Sequence, residues 1–443
     1  MRDYSVTTTA REAGFAALAG IRSSGYANLV VNEVLARARL SSDDARFVTE
    51  LVYGVCRNQG TLDQVIEMAA GRELRTLQPA VVDVLRLGSQ QLLRMRVPAH
   101  AAVSSSVGLA KDQIGHRVAG VVNAILRRVA GRDWDEWLDL LTQGMDPEQS
   151  LAVRTCHPSW IVDAYAACLP EAELAEALEA NNRPPLPTLA VRPTLMTRDE
   201  LLVSGGEATA YSAWGVARRG DPWEVPAVRD GRAGVQDEGS QLVAGVLARV
   251  DAPGGPWLDM CAGPGGKAAL LTGLARERLE HVVAADIHPH RARLVTDALK
   301  GYPGPALVMV ADGRAPAWGS RFSRVMLDTP CTGLGALRRR PEARWRKTPS
   351  DLTSLVALQR TLLDRACESV VPGGVVAYVT CSPHVAETAE VVMGRDGIEI
   401  LNAPAHLPGV PGVSASSDPR FIQLWPHRHG TDAMFCALLR RVA

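Results

Sequence analysis

Neither sign of charge is in excess in this chain of 443 residues, because 48 basic side chains balance 48 acidic ones. The global charge therefore indicates no nucleic-acid partner, and any surface that binds one must be local. Lysine is also scarce, since only 4 of the 48 basic side chains are lysines. Because arginine is the usual cation of this chain, Lys267 inside a glycine-rich loop is conspicuous.

Metal-site spacing, long apolar runs and a secretory leader are also missing. No two of the 8 cysteines are spaced as Cys-x-x-Cys, so a structural metal is not expected. The longest charge-free apolar stretch, residues 370–386, is interrupted by Pro372 and two glycines and is too short to cross a bilayer. The first five residues are polar, with no secretory core after them. We therefore expect a cytoplasmic protein with reduced thiols, a monomer that binds neither membrane nor metal.

The length of the chain predicts two or three domains. Within residues 1–140, apolar side chains recur at helical spacing and strand signals are few, which predicts an all-α bundle. The helices are predicted at 29–35, 43–55, 79–93 and 120–129, with Ser41 or Ser42 as an N-cap of the second. Residues 141–235 are interpreted as a helical stretch followed by a small α+β connector, separated by a proline cluster at 183–187.

From residue 236 onwards, predicted strands alternate with predicted helices, which indicates a parallel sheet covered on both faces. The strands are predicted at 256–261, 281–286, 306–311, 324–328 and 375–380, and the helices at 239–250, 267–278, 289–300 and 351–371. The last apolar run, residues 433–439, is predicted to close the sheet as an edge strand. Residues 236–443 are therefore predicted to form a third domain, after residues 1–140 and 141–235.

Two cysteines, Cys331 and Cys381, each follow a hydrophobic run that is predicted to be a strand. Ligands collect at the carboxyl ends of strands in an open parallel sheet, so both thiols are expected near the glycine-rich loop. A free cysteine often only packs, and we expect this of the group Cys56, Cys156, Cys168, Cys367 and Cys436. For Cys331 and Cys381, the neighbouring Asp-x-Pro and Thr-x-Ser favour a chemical role over simple packing. A disulfide between them is the other alternative, and a reducing compartment disfavours it.

The glycine-rich loop, residues 259–267, joins a predicted strand to a helix start. Glycines let a ligand approach the backbone closely, and a helix amino end favours negative charge. Asp286 ends the next strand, where an acid binds ribose hydroxyls, and Asp312 follows the third, where it is placed for an adenine amino group. The pattern favours a nucleoside cofactor over a plain tight turn. It is not a Walker loop, because Gly-Lys lacks a following Ser or Thr.

A basic segment, residues 338–347, lies shortly after Cys331. It contains six cations, one anion and Trp345. Such a composition suits a nucleic-acid backbone, with the aromatic ring as a base-stacking group. The alternative is an ordinary solvated face.

Five motifs in the second half of the chain can be compared with a known family. They are Cys261-Ala262-Gly263-Pro264-Gly265-Gly266-Lys267, Asp328-Thr329-Pro330-Cys331, Arg340-Pro341-Glu342, Thr380-Cys381-Ser382 and Trp425-Pro426-His427-Arg428-His429-Gly430-Thr431-Asp432-Ala433-Met434-Phe435. Together they resemble the RNA cytosine carbon-5 methyltransferases that use S-adenosylmethionine. Thr329 and Gly263 depart from this likeness, because alanine is usual at the first position and common at the second.

Motifs in the first 140 residues extend the resemblance. They are Asp44-Ala45-Arg46-Phe47, Glu50-Leu51-Val52-Tyr53-Gly54-Val55, Leu85-Arg86-Leu87-Gly88, Gln91-Leu92-Leu93, Val97-Pro98-Ala99-His100-Ala101-Ala102-Val103 and Val122-Asn123-Ala124-Ile125-Leu126-Arg127-Arg128. They resemble the NusB-like domain of the bacterial RsmB, Sun or Fmu family, which acts on small-subunit (16S) rRNA. The implied fold is an all-α NusB-like RNA-binding bundle plus an α/β Rossmann-like class I methyltransferase domain.

The resemblance also implies a reaction and the residues that perform it. Cys381 would attack carbon 6 of cytosine, and Cys331 would assist removal of the carbon 5 proton and release of the enzyme. Asp328 would hydrogen-bond the base, and Lys267 would neutralise developing charge or orient the base. The implied cofactor is S-adenosylmethionine, bound by Cys261, Ala262, Gly263, Pro264, Gly265, Gly266, Lys267, Asp286, Arg291, Asp312 and Asp328. No metal is implied.

Several alternatives remain open at this point. The two thiols could exchange roles, because DNA cytosine methyltransferases attack from a Pro-Cys motif. An amino-group methyltransferase would share the cofactor loop, but it would be expected to use an Asn/Asp-Pro-Pro-aromatic motif and would not need Cys381. The same chemistry could act on tRNA or 23S rRNA. A non-enzymatic RNA-binding or antitermination role is suggested by the front domain alone.

Overall fold

The computed structural model describes residues 9–23 and 25–442. These residues form two compact units. The first holds the described residues up to Asp163 together with Arg339–Lys347, and the second holds Ala164–Arg338 with the described residues from Thr348 onwards. The three-part division at residues 140 and 235 stays a prediction.

Helices account for nearly all regular structure in the first 187 residues. The described α-helices are, in chain order, α1 (Ala10–Ser23), α2 (Ala27–Ala38), α3 (Ser42–Ala70), α4 (Pro79–Arg94), α5 (Ala99–Gln113), α6 (Ala119–Val129), α7 (Trp134–Thr142), α8 (Pro147–Arg154), α9 (Ser159–Ala166), α10 (Glu171–Ala180), α11 (Arg198–Leu202), α12 (Pro226–Arg229), α13 (Glu238–Arg249), α14 (Gly266–Arg276), α15 (Pro289–Leu299), α16 (Ala343–Arg346), α17 (Pro349–Ser369), α18 (Ala389–Val392) and α19 (Pro426–His429). None of these described helices is both long and apolar enough to cross a membrane.

All four helices predicted in the first unit are present, as α2, α3, α4 and α6. The Ser41 side chain accepts a hydrogen bond from the Asp44 amide, which confirms the predicted cap of α3. α3 continues far beyond the predicted end at residue 55, because Leu62, Val65 and Ile66 extend its buried stripe. These helices bury one shared apolar core, which runs from α1 to α8.

The prediction that the basic segment presents free cations and an aromatic ring to RNA is wrong for its central residues. The guanidinium of Arg344 is buried and donates to the carbonyl oxygens of Cys156 (2.8 Å) and Arg57 (3.3 Å) within the first unit. The Trp345 indole donates to the Cys56 carbonyl oxygen at 2.7 Å and packs on Gly60, where a Cβ would clash with the ring. These side chains satisfy buried carbonyl groups of the helical unit instead of facing solvent.

The second unit contains two sheets. The strands are β1 (Thr188–Val191), β2 (Glu207–Ala208), β3 (Gly215–Ala217), β4 (Ala233–Val235), β5 (Trp257–Asp259), β6 (Val282–Asp286), β7 (Val308–Val310), β8 (Phe322–Asp328), β9 (Val370–Thr380), β10 (Ile398–Leu401), β11 (Ile422–Gln423) and β12 (Phe435–Arg441). The first four form a small antiparallel sheet in the order β2-β3-β1-β4, within the segment interpreted as a connector.

The larger sheet has the strand order β10-β12-β9-β8-β5-β6-β7, with β11 paired to β12. The strands from β5 to β9 are mutually parallel, as predicted, whereas β12 runs antiparallel to β9 and β10. The final apolar run is therefore not an edge strand, which corrects the prediction. β10 lies outside it, and this short strand carries too weak a hydrophobic pattern to be found from sequence.

Strand alternation places two apolar cores on opposite faces of this sheet. Trp257 and Met326 belong to the core that includes α13 and α14, whereas their neighbours Leu258 and Val325 belong to the core that includes α17. Strands buried on both faces read as continuous apolar runs, which is why the sequence pattern locates them. The strands carry their last residues, and the loops that follow, to one edge of the sheet.

Candidate active site

The two thiols predicted to share a site, Cys331 and Cys381, are in contact. Cys331 lies three residues beyond the end of β8 and Cys381 directly follows β9, and these strands are parallel neighbours that pair Asp328 with Val379. The two Sγ atoms are 3.4 Å apart and both side chains are half-buried. The hydrogen bond with Cys381, followed by burial, raises the pKa of the Cys331 thiol well above its ordinary value. The hydrogen bond and burial therefore both favour the protonated form of Cys331.

The loop that carries Cys381 is held by a glycine. The Gly335 amide donates to the Cys381 carbonyl oxygen at 2.8 Å, and the Gly335 carbonyl accepts from Ala433 at 2.9 Å. A Cβ at Gly335 would clash with the Ala433 carbonyl oxygen, so only glycine fits between the two backbones. This contact brings together two of the motifs identified in the sequence, the one that contains Cys381 and the one that contains Ala433.

Lys267 and Asp328 form an ion pair beside the thiols. The Lys267 Nζ, in the first turn of α14, donates to Asp328 Oδ2 at 2.9 Å, and the lysine side chain is only 10% exposed. Burial alone lowers the pKa of Lys267, but the charge and hydrogen bond of Asp328 outweigh it, so that the pKa is raised. The pair therefore places a fixed cation and its counter-ion where the glycine-rich loop meets the thiols.

The glycine-rich loop is shaped by close contacts. Gly265 has φ 111°, a conformation that favours glycine, and a Cβ there would lie 2.7 Å from the Ala298 Cβ. Of the other predicted loop residues, Cys261 has a thiol whose pKa is raised by burial. The Ala262 amide donates a hydrogen bond to the Ala285 carbonyl oxygen at 2.9 Å. Pro264 and Gly266 complete the turn into α14. This arrangement leaves a narrow turn at the carboxyl end of β5.

Asp286 ends β6 as predicted, but its carboxylate also holds the loop. Asp286 Oδ2 accepts from the Gly263 amide at 3.0 Å and lies 3.4 Å from Arg291 Nε, while Oδ1 accepts from the His288 amide at 2.9 Å. The Arg291 guanidinium donates in turn to the Gly263 carbonyl oxygen. Both predicted side chains therefore fix the shape of the turn.

Asp312 follows β7 at the same edge of the sheet. Its carboxylate pairs with the exposed Arg314, at 2.7 Å from the guanidinium nitrogen, and this hydrogen bond lowers the pKa of Asp312.

The described residues contain no group of three or more His, Cys, Asp or Glu side chains arranged to hold a metal ion.

Asp259, the last residue of β5, was not among the predicted site residues. It is 1% exposed, and neither carboxylate oxygen has a hydrogen-bond partner among the described residues. Burial, and then the negative charge of Asp328, raise the pKa of Asp259 to about 7, with Lys267 partly opposing the shift. An acid at a strand end is the signal that selected Asp286 and Asp312, and it applies equally here. A buried carboxylate without donors points to a missing polar ligand.

Asp259→Asn is expected to stabilise the cofactor-free protein at neutral pH. The folded pKa lies above the unfolded one, so the unfolded chain loses this proton first and stability falls as pH rises from about 4 to about 7. Asparagine removes this penalty, which amounts to up to about 4 kcal/mol above pH ~7 and vanishes near pH ~4. Urea unfolding at pH ~5 and ~8 measures it, with the exposed Asp297→Asn as control. Parallel pH curves for Asp259→Asn and the unchanged protein would contradict this assignment.

Comparison with known proteins identifies the family. A model described as 16S rRNA methyltransferase RsmB/F matches residues 246–440, and a NusB family model matches residues 8–131. A Mycobacterium tuberculosis protein named as a methyltransferase is 47% identical over 98% of this chain and 96% of its own length. Ribosomal RNA small subunit methyltransferase B of Vibrio cholerae is 33% identical over 78% of this chain and 80% of its own.

Solved structures show the same fold. The protein named PH0851 superposes with a TM-score of 0.80 at 21% identity, covering 99% of this chain and 100% of its own. NSun6 from Pyrococcus horikoshii, solved with SFG, has a TM-score of 0.55 at 18% identity and covers 65% of this chain and 98% of its own. The predicted fold class and family are confirmed. The chain belongs to the RsmB/F family of S-adenosylmethionine-dependent rRNA methyltransferases, with a helical NusB domain followed by an α/β methyltransferase domain.

Proposed function

We propose that this enzyme methylates carbon 5 of a cytosine in small-subunit rRNA through a covalent adduct between Cys381 and carbon 6. The observation that carries the proposal is the pair of thiols, 3.4 Å apart, at the strand ends beside the Lys267–Asp328 ion pair. Methyl transfer to an amino group needs no nucleophilic thiol. One thiol that adds to carbon 6 and a second group nearby that removes the carbon 5 proton fit a mechanism that forms and then breaks a bond to the base.

The residues present fit S-adenosylmethionine. The turn at Gly263 and Gly265 admits a ligand close to the backbone at the start of α14, and the unpartnered carboxylate of Asp259 offers acceptors to a ligand ammonium group. Asp286 and Asp312 would meet the ribose and adenine, with Arg291 holding the turn and Asp328 at its far side. When bound, the cofactor supplies an electrophilic methyl group on a sulfonium. A protein of the same fold was solved with SFG, an analogue of S-adenosylmethionine, which supports the choice of cofactor.

Addition of Cys381 would activate the base. Carbon 5 of cytosine is a poor nucleophile, but when a thiolate adds to carbon 6 the electrons of the 5,6 double bond become available at carbon 5. Asp328 would accept a hydrogen bond from the exocyclic amine, and Lys267 would stabilise the negative charge that develops on the ring. The base must be unstacked to reach the thiol, which favours a single-stranded or unfolded rRNA substrate.

Cys331 would complete the cycle. After methylation, the proton on carbon 5 passes to the Cys331 thiolate, the electrons of that bond restore the double bond, and the bond between Cys381 and carbon 6 breaks. Cys381 leaves as a thiolate and is ready for another cycle. Besides the hydrogen bond with Cys381, burial and the nearby carboxylates of Glu387 and Asp328 raise the pKa of Cys331, which makes its thiolate a stronger base.

Methyl transfer to unmodified small-subunit rRNA tests the proposal. We expect labelled S-adenosylmethionine to modify one cytosine, which bisulfite sequencing detects as a protected position. Transfer to tRNA or 23S rRNA instead would keep the chemistry and change the substrate. A methyl group found on an exocyclic amine would overturn the carbon 5 assignment.

A further inference from the structure

A buried carboxyl group lies behind the two thiols and is used by no step described above. Glu387 follows Cys381 by six residues and its side chain is fully buried. Its Oε1 accepts from the Thr332 amide at 2.8 Å and from Gln359 Nε2 at 3.0 Å, while its Oε2 accepts from the Thr332 hydroxyl. All three bonds are accepted by the carboxyl group, the pattern of an ionised carboxylate.

These bonds immobilise the backbone on both sides of Cys331. Gln359 Nε2 also donates to the Pro330 carbonyl oxygen at 2.9 Å. The residues before and after Cys331 are therefore both hydrogen-bonded, Pro330 to Gln359 and Thr332 to Glu387. The Thr332 hydroxyl lies 3.1 Å from the hydroxyl of Ser382, the residue after Cys381. The network therefore joins the loop of one thiol to the loop of the other.

A residue of β9 also holds the backbone of Glu387 in place. The Tyr378 hydroxyl, on β9, donates to the Glu387 carbonyl oxygen at 2.7 Å and lies 3.4 Å from Gln359 Oε1. A carboxylate with three donors and a clamped backbone has little freedom to move away from the thiols. Its charge is buried with no cation bonded to it among the described contacts, so its field is weakly screened.

We propose that Glu387 is a positioning residue for the thiol pair: it fixes Cys331 against Cys381 and, through its negative charge, disfavours a thiolate on Cys331, so that Cys381 becomes the nucleophile. The assignment of roles then depends on a residue that touches neither substrate nor cofactor. This inference rests on the proposed function for its catalytic meaning, but its effect on the thiols can be measured without RNA.

Several other ionisable groups surround the thiols and act with Glu387. They are Asp328 on β8, Tyr378 on β9, Lys267 on α14 and His384 in the loop after Cys381. Asp328 adds to the negative field at Cys331, whereas the Lys267 cation interacts favourably with a negative Cys381. The charges of Glu387 and Asp328 therefore disfavour a thiolate on Cys331, whereas the charge of Lys267 attracts a negative Cys381.

Competitive alkylation of the free protein tests the inference. Iodoacetamide at low conversion, followed by mass spectrometry, gives the ratio of alkylated Cys381 to alkylated Cys331, and thiolates react far faster than thiols. We expect Cys381 to dominate in the unchanged protein and the ratio to fall at least about threefold in Glu387→Gln, which corresponds to half a pKa unit. The matched control is Glu390→Gln, the same change at an exposed position three residues away, with no expected effect.

Additional readouts separate positioning from a general loss of structure. Alkylation of Cys367 should be unchanged in Glu387→Gln, because the charged groups around it are Arg395, Asp364, Glu368 and Arg441 rather than members of the network. In methyl transfer, kcat should fall about tenfold, equivalent to about 1.4 kcal/mol, while KM for RNA stays within about twofold. Equal alkylation ratios in Glu387→Gln and Glu390→Gln would overturn the inference. Absence of transfer by the unchanged protein would instead overturn the proposed function and leave the alkylation result to decide the role of Glu387.

Discussion

Cys381→Ala is expected to abolish methyl transfer, with kcat falling by roughly four orders of magnitude or more. The reason is that alanine cannot add to carbon 6, and without this addition carbon 5 stays unreactive however well base and cofactor are bound. Cofactor affinity should be unchanged, because Cys381 follows β9 whereas the glycine-rich loop follows β5. Turnover is measured with labelled S-adenosylmethionine, and cofactor binding is measured separately by calorimetry.

Cys331→Ala separates the two thiols. If Cys331 removes the carbon 5 proton, its loss blocks release and a covalent enzyme–RNA complex accumulates, visible as a band that survives denaturing electrophoresis. Cys381→Ala should give no such band. Cys367→Ala, a cysteine on α17 distant in sequence from both motifs, is the matched control and should turn over normally. A trapped complex with Cys381→Ala instead of Cys331→Ala would reverse the roles.

Asp328→Asn is expected to lower kcat by a factor of about 10² to 10³. Asparagine keeps the shape of the side chain but removes the charge that offsets burial at Lys267, so the pKa of the lysine should fall and less of it should be cationic. The ring charge formed when Cys381 adds would then be stabilised less by Lys267, and the exocyclic amine of the base would lose its charged acceptor. Because this interaction strengthens during the reaction, KM for RNA should change much less than kcat.

The pH dependence of Asp328→Asn provides a second measurement. Activity of the variant should decline at a lower pH than that of the unchanged enzyme, because its Lys267 loses its proton earlier. The control is Asp364→Asn, an acid on the exposed side of α17. If Asp328→Asn raised KM and left kcat unchanged, Asp328 would act only in binding the base.

The sequence by itself determined the elements of this protein and most of its chemical groups. Helical spacing in residues 79–93 and continuous apolar runs such as 324–328 report local periodicity, which depends on few distant contacts. The acids Asp286 and Asp312 were found because they lie at the ends of such runs, whereas Asp328 was found through the family resemblance. The same reasoning located Cys331 and Cys381, since strand ends at one edge of a sheet are close whatever the intervening loops do.

Only the tertiary structure decided which of these groups touch. The 3.4 Å separation of the thiols and the 2.9 Å Lys267–Asp328 pair depend on the register of β8 against β9 and on how α14 leaves the loop. Composition suggested an RNA-facing role for Arg344 and Trp345, yet packing buries the first and seats the second on Gly60. A charged residue is usually exposed, but the sequence alone does not show which individual charged residues are buried.

Asp259 and Glu387 are two acids whose importance the sequence did not reveal. Each is an ordinary acid in the sequence, and each matters because of where folding leaves it: one without any donor, the other with three. The free energy of a buried carboxylate is set by its partners and its desolvation, which arise from residues far apart in the chain. Local pattern therefore fixes which groups are available, whereas long-range packing fixes their protonation and their roles.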